Sequence, residues 1–264
     1  MSRRLPVRKT YKLFVGGAFP RSESGRTYEA QGQNVARASR KDVRDAVRAA
    51  RAAQPKWGAA TAYNRGQVLY RIAEMMEARH AELAELCTGE PEVAAAIDGF
   101  WYAGWADKLA QVLGGSNPVA GPYFNFTVPE PTGVVAVLAP EPPLGGLVAR
   151  LAPVLVGGNA AVVVASEQSP LAAIELAEVL ATADVPGGVV NVLTGFRDEL
   201  APVLAAHMDV NAIDLAGADG DAAELERVAA GNVKRVVHGR ADVQSPYEAL
   251  SFLELKTVWH PVGT

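Results

Sequence analysis

Cysteine is almost absent from this chain: Cys87 is the single thiol in 264 residues. No intrachain disulfide can form, and a metal centre built from several cysteines of one chain is excluded. Long apolar runs are missing too. Gly, Pro and charged residues interrupt every hydrophobic stretch before the roughly 18 residues that a membrane span needs. The basic start, with Arg3, Arg4, Arg8, Lys9 and Lys12, lacks the apolar run of a secretory signal, and it reads as a solvated terminal arm. The expected compartment is therefore the cytoplasm. Charge of one sign is not in excess either: 25 Lys and Arg against 29 Asp and Glu leave a net charge of -4, with no general reason to expect nucleic acid or a membrane surface.

What remains is a globular composition, 49% hydrophobic and 20% charged, at a length that suits one large α/β domain or one domain with an appendage. Tyr11 to Phe19, with Gly16 and Gly17, reads as an apolar strand and turn, and Ser22 to Arg26 as a polar turn. Ser39 stands three residues before Asp42 as a helix start; Val43, Ala46, Val47 and Ala50 then repeat along one helical face, and Pro55 is expected to end the helix. Apolar positions at helical spacing continue from Ala62 to Cys87, and Phe100 to Val112 predicts a further, aromatic-rich helix.

A different rhythm follows. Val134 to Leu138, Ala160 to Val164, Val189 to Leu193, Ala212 to Leu215 and Val233 to Val237 are short apolar runs, separated by helical patterns at Leu144 to Val156, Leu171 to Ala183, Glu199 to Ala206 and Asp221 to Ala230. Strands apolar throughout are buried on both faces, so the alternation predicts an α/β fold: a doubly wound, mostly parallel, Rossmann-like sheet with an N-terminal helical layer. Pro129, Pro131 and Gly133 set that sheet off from the helices, and the polar stretch Gly239 to Pro246 sets it off from a last apolar run, Leu250 to Trp259, expected as a strand outside the main sheet. Tyr123, Phe124, Phe126 and Val128 alternate as strands of a protruding arm would.

Several of these pieces, taken in order, resemble the aldehyde dehydrogenase superfamily. The matching text is Tyr11-Lys-Leu-Phe-Val-Gly-Gly17, Asp45-Ala-Val47 through to Trp57, Tyr102-Ala-Gly-Trp-Ala-Asp-Lys108, Pro131-Thr-Gly-Val-Val135, Ala152-Pro-Val-Leu-Val-Gly-Gly-Asn159, Ser166-Glu-Gln-Ser-Pro170 and Val185-Pro-Gly-Gly-Val-Val-Asn-Val-Leu-Thr-Gly195. Leu253-Glu-Leu-Lys-Thr-Val-Trp259 is similar to the family's extreme C-terminal strand. The resemblance implies a nucleotide-fold domain over 1–113 and 130–239, an oligomerisation arm over 114–129 and 247–264, and, over 239–247, a short linker where complete members carry the catalytic domain.

Oxidation of an aldehyde through a covalent intermediate needs a thiolate, an oxyanion donor, a nicotinamide and a base. The resemblance implies that the thiolate belongs to the missing domain; Cys87, on an apolar helix near Leu83 and Leu86, reads as a core residue. The family's Pro-Trp-Asn, whose asparagine serves the oxyanion, is here Pro140-Glu141-Pro142, and its Glu-Leu-Gly-Gly base motif is His238-Gly239-Arg240-Ala241. His238 reads as a surface residue. The family's Lys-Pro-Ser-Glu, which holds the adenosine ribose, is Val164-Ala165-Ser166-Glu167, and its Phe-Thr-Gly-Ser phosphate motif is Leu215-Ala216-Gly217-Ala218, with Ala222 at a following glycine. Asp219 and Asp221 add negative charge where an anion would dock, and Arg197 replaces a glycine beside the adenine.

The expectation is no catalytic residue, no metal, and no cofactor or only weakly bound NAD, its contacts centred on Glu167, Gly217 and the backbone near Leu138 and Pro140. The resulting reading is a non-catalytic aldehyde dehydrogenase-like subunit, structural or regulatory, that assembles with a complete paralogue or with itself through Gly121 to Pro129 and Leu250 to Trp259. The alternatives are a contributor to an NAD-dependent aldehyde oxidoreductase complex and a stand-alone dinucleotide-binding sensor.

Overall fold

A computed structural model describes residues 9–218, 220, 222–240 and 242–263. Arg3, Arg4, Arg8, Asp219, Asp221 and Ala241 lie outside the described residues. At the N-terminus β1 (Thr10–Tyr11), β2 (Thr27–Ala30) and β3 (Gln33–Ala36) make a small sheet in the order β1-β3-β2. Helix α1 (Arg40–Ala59) starts where Ser39 and Asp42 predict, with the Asp42 carboxylate accepting the Ser39 N–H at 2.7 Å. Pro55 does not end it. The helix runs one turn past the ring and seats Trp57, 2% exposed, with its indole N–H donating to the Leu155 carbonyl at 3.2 Å. That buried anchor outweighs the one backbone bond proline removes.

The expected continuous helix over Ala62 to Cys87 is two, α2 (Ala62–Ala78) and α3 (His80–Leu86). They part at Arg79, whose side chain pairs with Glu175 at 2.5 Å and Glu178 at 3.4 Å. After α4 (Glu90–Asp98), Phe100 to Val112 is likewise divided, into a tighter 3-10 segment, Gly99–Trp105, and α5 (Leu109–Leu113). Close approach shapes it: a Cβ on Gly99 would stand 2.8 Å from Val148 Cγ1.

The remaining elements are β4 (Gly115–Asn117), β5 (Tyr123–Pro131), β6 (Val134–Leu138), α6 (Gly145–Val156), β7 (Ala160–Val164), α7 (Leu171–Thr182), β8 (Val190–Leu193), α8 (Arg197–Ala206), β9 (Ala212–Asp214), α9 (Ala222–Ala230), β10 (Arg235–Val237), α10 (Pro246–Leu250) and β11 (Leu253–Pro261). Strands β10-β9-β6-β7-β8 form an all-parallel sheet. Alternate residues of β6 serve the two faces: Val135 and Val137 pack with α2, α4, α6 and α7, and Val134, Ala136 and Leu138 pack with α1, α8 and α9. Both faces are covered, which is why the strands read as unbroken apolar runs.

β4, β5 and β11 form the arm, a separate antiparallel sheet in the order β11-β5-β4. Its last strand begins later than the apolar run suggests. Leu250 ends α10, and Phe252 and Leu253 are 0% and 5% exposed. Neither is an arm surface residue; both belong to the main core, and the exposed apolar residues of β11 are Leu255, Val258 and Trp259.

The stretch from β10 to β11 is docked rather than loose. Arg150, fully buried on α6, donates through Nε to Asp214 at 2.7 Å and through Nη1 to Glu248 at 2.5 Å and the Arg240 carbonyl at 3.3 Å. Burial disfavours its charge, but the two carboxylates outweigh that and hold the guanidinium protonated. A Cβ on Gly239 would fall 1.8 Å from Arg150 Cζ, so glycine alone lets the chain pass. The Tyr102 hydroxyl donates to the Ser245 carbonyl at 3.1 Å, closing the segment over the helical layer.

Candidate functional site

From β6 the chain winds out through β7 and β8, then returns to the other side of β6 for β9 and β10. The reversal lies between β6 and β9, and crevices at the carboxyl ends of strands on either side of such a point are where open α/β sheets bind ligands. A cavity of about 420 Å³ lies there, lined among others by Glu141, Ser166, Glu167, Arg197, Ala218 and Leu225.

Each wall comes from the end of a strand or the start of a helix. Glu167 follows β7, and its Oε1 accepts the backbone N–H of Arg197 at the start of α8. Arg197 then crosses the cavity, and its Nη2 donates to the Ala139 carbonyl at the end of β6, 3.0 Å away. Ser166 Oγ donates to Glu141 Oε1 at 2.5 Å and accepts the Ser169 N–H at 3.1 Å. Glu141, Glu167, Asp198 and Glu224 put four carboxylates on the wall against one guanidinium. Glu224 is itself paired with Arg227, 2.5 Å away, and the other three carboxylates carry the same sign of charge as a pyrophosphate.

Of the residues singled out in the sequence, Glu167 lines this cavity. Gly217 and Leu138 are not among its lining residues; they pair with each other beside Ala218, with Gly217 N–H donating to the Leu138 carbonyl at 3.1 Å. A Cβ on Gly217 would stand 2.5 Å from the Ala139 oxygen, so glycine is what lets the backbones of β6 and the β9 exit touch. The Leu138 side chain is buried in the core. Pro140 packs against the start of α6, where a Cβ on Gly146 would lie 2.3 Å from the Pro140 oxygen.

Neither candidate for replacement chemistry joins the cavity lining. His238 is 57% exposed in its side chain and pairs with Glu226 at 2.6 Å. Cys87 is half-buried at the end of α3 with its Sγ 3.7 Å from the Gly89 carbonyl, and burial pushes its thiol up, which disfavours the thiolate.

Glu92 escaped the sequence reading. Its carboxylate accepts the N–H groups of Leu144 at 2.7 Å and Gly145 at 3.1 Å at the head of α6, and the Thr88 N–H and hydroxyl at 2.7 and 2.6 Å. Burial raises its pKa, but these donors together win and hold the carboxyl below its usual range. An internal anion thus occupies the head of α6. The pairing of Thr88 with Glu92 is a local signal, but nothing local indicates that the same carboxylate reaches residue 144.

The aldehyde dehydrogenase family pattern matches residues 26–239. 2-Hydroxymuconic semialdehyde dehydrogenase of Pseudomonas sp. (strain CF600) is 38% identical over 250 residues, covering 86% of this chain and 51% of that protein. Retinal dehydrogenase 2 of Gallus gallus is 35% identical over 252 residues, covering 86% and 48%. Among solved structures, HpcC from Thermus thermophilus superimposes with a TM-score of 0.82 at 32% identity over 86% of this chain and 47% of that one. An NAD+ complex of aldehyde dehydrogenase from Bacillus cereus does so with 0.80 at 27%, over 86% and 50%. The chain spans about half the length of the relatives it matches. By motif, identity and fold together, the chain belongs to the aldehyde dehydrogenase family.

Proposed function

We propose that this chain is a non-catalytic member of its family, a structural or regulatory subunit that docks through its arm to a complete aldehyde dehydrogenase. The observation that carries the reading is Arg197, which ties up both Glu167, through its backbone N–H, and the Ala139 carbonyl, through its guanidinium. Glu167 is the one ribose-holding residue that the resemblance carries over, and its contact is used internally. Two substitutions within the chain support the same conclusion. Pro142 stands at the oxyanion asparagine and has no donor, and His238 with Gly239 stands at the base motif, with the imidazole held outside by Glu226. A chain that offers neither oxyanion donor nor base to a nicotinamide site serves its assembly by shape.

The test is aldehyde oxidation by the purified chain with NAD or NADP. The expected result is no turnover; turnover abolished by Cys87→Ala would overturn the proposal. The docking half is tested by deleting residues 254–264, which spares the buried Phe252 and Leu253. Light scattering with a purified complete family member is expected to show a mixed complex only for the intact chain.

A further inference from the structure

β11 is the longest edge strand among the described residues, nine residues with one side paired to β5. Two hydrogen bonds fix which of its backbone groups are free. Thr132 N–H donates to the Phe252 carbonyl at 3.1 Å and Val262 N–H to the Pro122 carbonyl at 2.9 Å, both in the register that sets Leu253 opposite Pro131. Bonded and non-bonded pairs alternate along an antiparallel ladder. Glu254, Lys256, Val258 and His260 therefore spend their backbone groups on β5, and Leu255, Thr257 and Trp259 turn theirs outward. The prolines agree: Pro129 and Pro131 face Leu255 and Leu253, positions where β11 asks for no N–H. The outward run is closed at both ends, because the Leu253 carbonyl already accepts from Arg235 Nη1 at 2.7 Å and Pro261 has no N–H.

We propose that two copies of this chain pair through these edges, β11 against β11, antiparallel about a twofold axis at Thr257. The register follows from the free groups. With Thr257 opposite Thr257, Leu255 of each copy faces Trp259 of the other, so the three outward residues of one strand meet the three of its mate, and three pairs of two bonds each give six. An axis at Leu255 or Trp259 sets free residues against Leu253 or Pro261. An axis at Val258 sets Leu255 against Pro261, and one at Lys256 sets lysine against lysine. The twofold at Thr257 instead places Glu254 opposite His260 and Lys256 opposite Val258 on one face. On the other face it joins Leu255 and Trp259, 48% and 58% exposed in the single chain. The apolar surfaces are complementary, and Glu254 and Lys256 keep the partners they have within the chain, Arg235 and Glu130.

This inference rests on the arm being the assembly element, and it names the occupant of the edge when no complete dehydrogenase is bound; the two occupants compete for one strand. The test combines sedimentation of the full chain with cross-linking in a Cys87→Ser background. Thr257→Cys is expected to give a disulfide-linked dimer, since Cα atoms of a bonded antiparallel pair lie about 5.5 Å apart, and Lys256→Cys is not. Thr257→Pro removes an outward N–H and the exposed hydroxyl contact to Thr127 at 3.3 Å but no backbone bond to β5, and it is expected to halve the sedimenting mass while the β5 pairing survives. A monomeric parent chain, a dimer indifferent to Thr257→Pro, or linkage at 256 in preference to 257 would overturn the pairing. Capture of a complete family member by a monomeric chain would sink this inference and leave the docking proposal standing.

Discussion

Glu92 and Arg197 show how far single residues decide what the site can hold. The Glu92 carboxylate serves four donors, and its ionised form is the one the fold favours. A carboxyl with a depressed folded pKa contributes stability above its unfolded value and loses it as pH falls through the folded one. Glu92→Gln is thus expected to cost about 2 kcal/mol at neutral pH. The gap between the two chains in urea melts should close as pH falls below the ordinary carboxylate range; a gap independent of pH would rule out the ionised carboxylate as its source. Arg197 was legible as a misfit at a glycine position, but its reach to Ala139 was not, because a long side chain's direction is set by tertiary neighbours. Arg197→Gly is expected to tighten NAD binding about tenfold, or 1.4 kcal/mol, in a calorimetric titration. Unchanged or weaker binding would show that the guanidinium is not what blocks the site.

At the scale of elements, the central sheet was the most legible part. β6 and β7 begin and end where their apolar runs do, since burial on both faces leaves a continuous signature. Helix ends were read less well. Pro55 was overruled by Trp57, and the break at Arg79 follows from ion pairs to α7, ninety-six residues away for Glu175. The polar stretch after β10 reads as a linker, yet Arg150 binds it into the core through Asp214, Glu248 and the Arg240 carbonyl. Removing one member of a buried ion pair leaves the other uncompensated. Arg150→Met should destabilise the chain by about 3–5 kcal/mol and increase hydrogen exchange across residues 242–252, with Arg150→Lys recovering part of the loss. Exchange unchanged over that segment would mean that the linker is held by other contacts.

For the whole molecule, the family and fold were legible because motif order and strand–helix alternation extend over most of the chain. What the chain does depends on the few positions where it departs from its relatives. A complete dinucleotide site would present an open ribose carboxylate and a phosphate cradle; here Glu167 is engaged by Arg197, Ala218 stands where the family has a hydroxyl, and carboxylates dominate the wall. The most direct measurement is calorimetric titration of the purified full chain with NAD. A dissociation constant weaker than roughly 10 μM, or no heat at all, is predicted; binding tighter than that, equivalent to about -7 kcal/mol, would contradict the account of the site as closed to its family's cofactor.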